Sequence, residues 1–137
     1  MKKCITFFLI LLVVICVAAC KEDVPLPPER QFYVNYLNAA MLDRAQANKD
    51  YCHYEGFYEE LAYADNNHVL DYEIHEWKQL ADQFWVVEAT ITSIYFPEGL
   101  HVYNFVGYVD GEMRIMQGLN AIPSELDLDV DLSAYEN

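Results

Sequence analysis

Cations are scarce in this sequence. Eight lysines and arginines stand against 22 aspartates and glutamates, a formal charge of −14. Two of the eight, Lys2 and Lys3, sit at the start, so residues 20–137 keep six cations against the same 22 carboxylates, a balance of −16. A field of that sign repels phosphates and anionic headgroups, which argues against nucleic acid as a partner. Cysteine is almost as rare. Cys4 and Cys16 lie in an apolar stretch, Cys20 closes it, and only Cys52 stands in the rest of the chain. Within residues 21–137 Cys52 has no second cysteine to pair with, so stability there must come from packing. Long apolar runs are missing too. Ile5 to Ala19 carries no charge, but Lys21 stops it short of the roughly 20 apolar residues that a spanning helix needs. Glycine-rich phosphate loops, a G-x-S-x-G elbow and basic aromatic patches are absent from the sequence, so the usual marks of nucleotide binding and serine hydrolysis are lacking.

What is there begins with a leader. Met1-Lys2-Lys3, the apolar run and the small pair Ala18-Ala19 form the three regions of a secretory signal over residues 1–19. Val17-Ala18-Ala19-Cys20 resembles the lipobox of bacterial lipoproteins, with Val17 where that family usually has leucine. The resemblance implies cleavage after Ala19 and a diacylglyceryl thioether on Cys20. It therefore implies an extracytoplasmic chain anchored to a bacterial membrane. One acyl chain holds a protein to a bilayer only marginally, whereas two or three hold it stably. Residues 20–28 would then be the lipidated cysteine and a charged, proline-rich tether, KEDVPLPP.

Residues 29–122 read as one α+β domain. Tyr33, Leu37, Ala40 and Met41 recur at helical spacing, which predicts a helix from Glu29 to about Gln46. Asp50 can cap a second helix, Tyr51 to Ala64, with Tyr54, Phe57, Tyr58 and Leu61 on one face and Gly56 weakening it. After Asp65-Asn66-Asn67 the period changes to 2. Leu70, Tyr72 and Ile74 alternate with Asp71, Glu73 and His75 in a strand from Val69 to Leu80. Ala81-Asp82-Gln83 turns the chain into Phe84 to Tyr95, with Trp85, Val87, Ala89 and Ile91 on one side. A turn at Phe96-Pro97-Glu98-Gly99 leads into Leu100 to Val109. Asp110-Gly111 is a type I′ hairpin signal, and a fourth strand runs to about Gln117, with Gly118 a bulge or an end. In residues 123–137, Leu126, Leu128, Val130 and Leu132 alternate with Asp127, Asp129 and Asp131, which reads as an edge strand or a loose acidic tail.

Helices followed by an antiparallel meander place the helices against one sheet face. The order, together with QFYVNYLNAAM, DQFWVVEATIT and VYNFVGYVDGEMRIMQG, resembles the cystatin-like architecture and within it the nuclear transport factor 2-like superfamily. The resemblance implies two helices on a curved four-stranded sheet, enclosing a cone-shaped pocket. Some members of that superfamily are enzymes acting on small apolar molecules and many have no assigned catalysis, so the fold alone does not decide.

The chemistry-bearing residues give few constellations. Cys52 and His53 are neighbours, but adjacent residues on a helix do not face each other, and a reactive thiol needs an electropositive setting. A packed or partly exposed free cysteine is the reading adopted. His68, His75 and His101 with Glu73 or Glu76 match no zinc spacing, since Gln79 stands where a zincin helix has its second histidine. Asp127, Asp129 and Asp131 begin like a calcium loop, but Leu132 occupies the position that requires glycine. No metal, cofactor or catalytic residue is assigned. Tyr33 and Tyr72 are the candidates to line a cone pocket, with packing as the alternative role. The expected function is a non-enzymatic, membrane-tethered binding or accessory domain of the cell envelope. The alternatives are an acidic inhibitor or immunity-type protein for a basic hydrolase or toxin, and an isomerase-like or lyase-like enzyme using the cone. The partner classes are the membrane through its lipid, a basic protein, or a small apolar ligand.

Overall fold

The computed structural model describes residues 24–53 and 68–136. Helix α1 spans Pro28–Leu42. Pro28 sits at its first turn, where a missing N–H breaks no bond, and Glu29 lies at the positive end of the helix dipole. The sequence predicts an unbroken helix to Gln46, but the chain leaves helical geometry at Asp43 (φ −151°, ψ 97°) and re-enters it as α2, Arg44–Tyr51. The cause is the Asp43 carboxylate, which accepts the Gln46 backbone N–H at 3.0 Å and so caps a new helix. The expectation that Asp50 caps a helix starting at Tyr51 is corrected. Asp50 lies in the last turn of α2, Tyr51 ends it, and Cys52 is extended (φ −91°, ψ 151°). The Asp50 carboxylate accepts instead from Gln46 Nε2, four residues earlier, at 2.8 Å. Residues 54–64 of that expected helix lie outside the described residues.

Four antiparallel strands follow, each beside the next in the sequence: β1 Val69–Ala81, β2 Phe84–Ser93, β3 Leu100–Val109 and β4 Glu112–Met116. The molecule is thus α+β with an open meander sheet. β2 stops short of Tyr95 because Ser93 and Phe96 exchange backbone hydrogen bonds of 3.2 and 3.1 Å and close a turn. Asp110 (φ 52°) and Gly111 (φ 81°) both take positive φ between Val109 and Glu112, the twist-matched hairpin that the dipeptide predicts. The outer edge of β4 is partly occupied, since Cys52 bridges Ile115 in parallel and the His53 N–H donates to the Ile115 carbonyl at 2.8 Å.

Strand β1 is longer than its pairing partner and takes up the difference in bulges, at Val69/Asp71 and Ile74/Glu76 among others. Each extra residue reverses the side on which the following side chains point. The plain alternation puts Leu70 beside Tyr72 and Ile74 on the buried face, but Leu70 is 53% exposed. The inward set is Val69, Tyr72, Ile74 and Trp77, all in or against the first core cluster.

Both sheet faces carry apolar cores. On one, Val69, Val87, Ile91, Val106 and Ile115 share a cluster with Tyr33, Tyr36, Leu37 and Ala40 of α1. On the other, Phe84, Val86, Phe105 and Met116 pack against Leu126, Leu128, Leu132 and Tyr135 of the C-terminal segment. Phe84 and Phe105 stack at 5.7 Å between centroids, and Tyr135 meets the edge of Phe105 at 5.8 Å. Gly107 makes room for that stack: a Cβ there would lie 2.8 Å from Phe84 Cδ2. Residues 123–136 contain no strand, only a short 3₁₀ turn at Ser133–Tyr135, so the tail covers a sheet face and neither extends an edge nor hangs loose.

Candidate functional site

Tyr33 and Tyr72 lie on the same side of the sheet, and the hydroxyl of each is hydrogen-bonded within the chain. Tyr33 is fully buried. Its hydroxyl accepts a 2.7 Å hydrogen bond from Asn104 Nδ2. Burial pushes the Tyr33 phenol well above its ordinary value, against a smaller downward pull from Asn104. Tyr72 is half-buried and donates to Asn38 Oδ1 on α1 at 3.1 Å, tying β1 to the helix. Beside Tyr33, the Tyr36 hydroxyl donates to Asn48 Oδ1 at 3.1 Å, and Gln117 Nε2 donates to both Asn48 and the Tyr36 oxygen. Cys52 closes this group, with Gln117 Nε2 at 3.5 Å and Asn48 Oδ1 at 3.8 Å from its sulfur. The space between α1 and the sheet is filled at this level by aromatic rings and their hydrogen-bonded polar ends. A buried, hydrogen-bonded thiol of this kind packs as a small apolar group.

His68 lies apart from His75 and His101. His68 Nδ1 accepts the Arg44 backbone N–H at 3.3 Å, at the junction of α1 and α2. His75 and His101 meet across β2, their rings 6.2 Å apart, with His101 on Glu88 at 2.7 Å and His75 on Thr90 at 2.7 Å. Glu73 is 3.8 Å from His75, while Glu76 borders a shallow cavity of about 200 Å³ with Tyr103 and Tyr135. Among the described residues no three histidine, cysteine or carboxylate side chains assemble as a metal cluster. A second cavity, about 430 Å³, opens between Lys49, His53, Asp110 and Arg114. Its guanidinium is already held by the Asp50 carbonyl at 3.0 Å and by Glu112. Asp127, Asp129 and Asp131 point to solvent while the intervening leucines pack. Asp131 caps Ser133, whose backbone N–H at 3.0 Å and side chain hold its carboxyl below the ordinary value.

One surface stands apart. Leu70, Ile94, Tyr95, Phe96 and Leu100 are exposed large apolar side chains. The pairings Val69 with Ser93 and Leu100 with Ile91 bring all five to one end of the sheet, around the β2–β3 loop. Helix α1 runs antiparallel to β1: Arg30 stands over the Trp77 ring at 5.7 Å, and Asn38 holds Tyr72. Its last residues, Met41 and the 83% exposed Leu42, therefore come to that same end, next to the Arg44–His68 contact. Residues 24–27 leave from the other end, near Trp77. The seven residue steps from Leu70 to Trp77 separate the two by about 23 Å of strand.

Reading the sequence as strand plus turn missed this surface. The signal was the run Ile94-Tyr95-Phe96 directly before Pro97-Glu98-Gly99, three large apolar residues that cannot all face one core. Isolated exposed apolar side chains are ordinary, but Ile94, Tyr95 and Phe96 are three exposed in succession at one loop. Among the described residues no helix is long and apolar enough to cross a membrane. No family model matches the chain, and neither a curated protein nor a solved structure matches it.

Proposed function

We propose that this chain is a bacterial lipoprotein held to a membrane by fatty chains on Cys20, whose extracytoplasmic α+β domain is a non-enzymatic binding module of the cell envelope. In this reading the domain is a cystatin-like cone of the nuclear transport factor 2-like kind whose interior serves as core. The observation that carries the binding role is the exposed apolar end around Leu70, Tyr95 and Phe96, remote from the segment that leads to Cys20. The filled interior at Tyr33 and Tyr36 supports recognition at the surface over turnover in a pocket. Among the described residues no general acid and base converge there, which weighs against the isomerase-like alternative.

The anchor is tested by metabolic labelling with a palmitate analogue and fractionation of the cells. The wild-type chain is expected to take up label and sediment with membranes. Cys20→Ala is expected to lose both properties while still being exported. A wild-type chain that is exported without label overturns the lipoprotein reading.

A further inference from the structure

The C-terminal segment holds to the sheet by its apolar side chains. Leu126, Leu128, Leu132 and Tyr135 pack against the cluster of Phe84, Val86, Phe105 and Met116. Among the described residues, every hydrogen bond of residues 124–136 stays within 123–136. The donors and acceptors are Leu126 to Pro123, Leu128 to Leu126, Tyr135 to Leu132, Glu136 to Ser133, and Ser133 to Asp131. Among the same residues no ion pair joins the segment to the sheet. Lifting the segment away therefore breaks none of those bonds and leaves β1 to β4 paired. A cover of that kind opens at a lower cost than the fold itself, because few buried contacts are lost. Pro123 is buried and Ser124 exposed, so the segment parts from the fold there.

Charge opposes the contact. Residues 124–136 carry five exposed carboxylates, Glu125, Asp127, Asp129, Asp131 and Glu136, and no lysine, arginine or histidine. Where Tyr135 meets the sheet, Glu76 and Glu88 border the same cavity and are direct partners in the β1–β2 register. Glu88 is shared with His101. Lys78 beside Val86 and Arg114 beside Gly107 are the cations of that face, and neither forms an ion pair with the segment. Like charges at the seam push the segment off the sheet, and salt screens that push. We infer that residues 124–136 form a strap that lifts from the sheet as one unit while the sheet stays folded, and that rising ionic strength closes it. Closed, the strap hides Phe105 and Met116; open, it presents them. The inference stands apart from the anchor and from the exposed loop at Tyr95.

Met116 reports on the strap, since it is fully buried in the cluster that the strap covers, while Met113 on the same strand packs against the helix-side core. The test follows hydrogen peroxide oxidation of each methionine by mass spectrometry, beside amide exchange in β2 and β3. It uses the chain as cells export it, in phosphatidylcholine nanodiscs if lipidated and in buffer if not, so a failed anchor leaves the outcome readable. Met116 is expected to oxidise at least about tenfold faster than global unfolding allows, the latter set by the slowest amides of β2 and β3. Its rate is expected to stay flat in urea below the unfolding transition, because opening exposes only the strip beneath the strap. Leu132→Ser is expected to raise the Met116 rate severalfold and to leave Met113 unchanged. A rise from 0.02 to 0.5 M sodium chloride is expected to lower it severalfold. A Met116 rate with the urea slope of global unfolding, equal acceleration of Met113 by Leu132→Ser, or no slowing by salt each overturns the inference.

Discussion

Tyr33 shows how much one buried polar contact commits. Its ring is wholly inside the core and its oxygen is the acceptor for Asn104, 71 residues away in the sequence. Replacing it by phenylalanine keeps the ring and removes the acceptor, which leaves the Asn104 amide buried without that bond. Such an orphaned group costs about 1–3 kcal/mol. The pH dependence has a definite sign. An unfolded tyrosine ionises near pH 10, and the folded Tyr33 phenol is held above that by burial. Its contribution is therefore complete below about pH 10 and is lost as pH rises further, because the unfolded chain then gives up a proton that the folded chain retains. Urea unfolding of the wild type and Tyr33→Phe at pH 7.5 and pH 11 is expected to show the variant less stable at the lower pH and the gap narrower at the higher. A gap that widens with alkali would show that Tyr33 ionises easily in the folded state. The position of Tyr33 on the inward face of α1 was legible from helical spacing. Its partner was not, since nothing local marks Asn104 in β3 as more than one polar residue in an apolar run.

Among the elements, the C-terminal segment decides most. Its Leu–Asp alternation is the signature of a strand, and its leucines do face one way, but the sheet's far face takes them up as an irregular cover. Alternation reports which side chains turn inward and does not report whether the backbone finds a pairing partner. The same distinction explains β1, where the strand is legible and its bulges are not. Those bulges depend on fitting thirteen residues of β1 against ten of β2, a tertiary matter. The hairpin at Asp110-Gly111 is local chemistry and could be read directly, whereas the second strand was read to Tyr95 and the chain turns already after Ser93. The break at Asp43 was local as well, an aspartate followed three residues later by the N–H that it caps, but the apolar spacing running past it masked the signal. Removing residues 126–137 is expected to uncover Phe105 and Met116. Full burial of a large apolar side chain is worth about 1.5–3 kcal/mol. Leu126, Leu128, Leu132 and Tyr135 are half-buried, so their loss is expected to cost roughly 3–5 kcal/mol, a large share of the 5–15 typical of a domain. The urea midpoint of the truncated chain is the measurement. A shift equivalent to less than about 0.5 kcal/mol, the size of an ordinary surface change, would mean that the tail contributes no packing.

At the scale of the whole molecule, the order tether, helix, sheet end and loop gives the domain a direction. Residues 24–27 meet α1 beside Trp77, and the apolar loop lies at the far end of β1. With Cys20 in the bilayer, the Trp77 end is membrane-proximal and Tyr95 faces outward, unless the tether folds back on itself. The seven residues 21–27 between Cys20 and α1 would span about 22 Å if extended as a polyproline-type chain, long enough to let the domain lie down. Electrostatics opposes that posture on an anionic surface, because a balance of −16 is repelled by phosphatidylglycerol over a Debye length of about 10 Å at 0.1 M salt. Nitroxide labels at positions 26 and 95 of the lipidated chain on such vesicles are therefore expected to differ. The label at 26 should sit near the headgroups. The label at 95 should stay open to water-soluble nickel relaxants and closed to lipid-soluble oxygen. Raising salt to 1 M shortens the screening distance to about 3 Å, and is expected to let the domain tilt, bringing the label at 95 partway toward the surface. If position 95 instead contacts lipid already at low salt, attraction of the apolar loop to the bilayer outweighs charge repulsion, and the outward docking end is replaced by a second membrane contact.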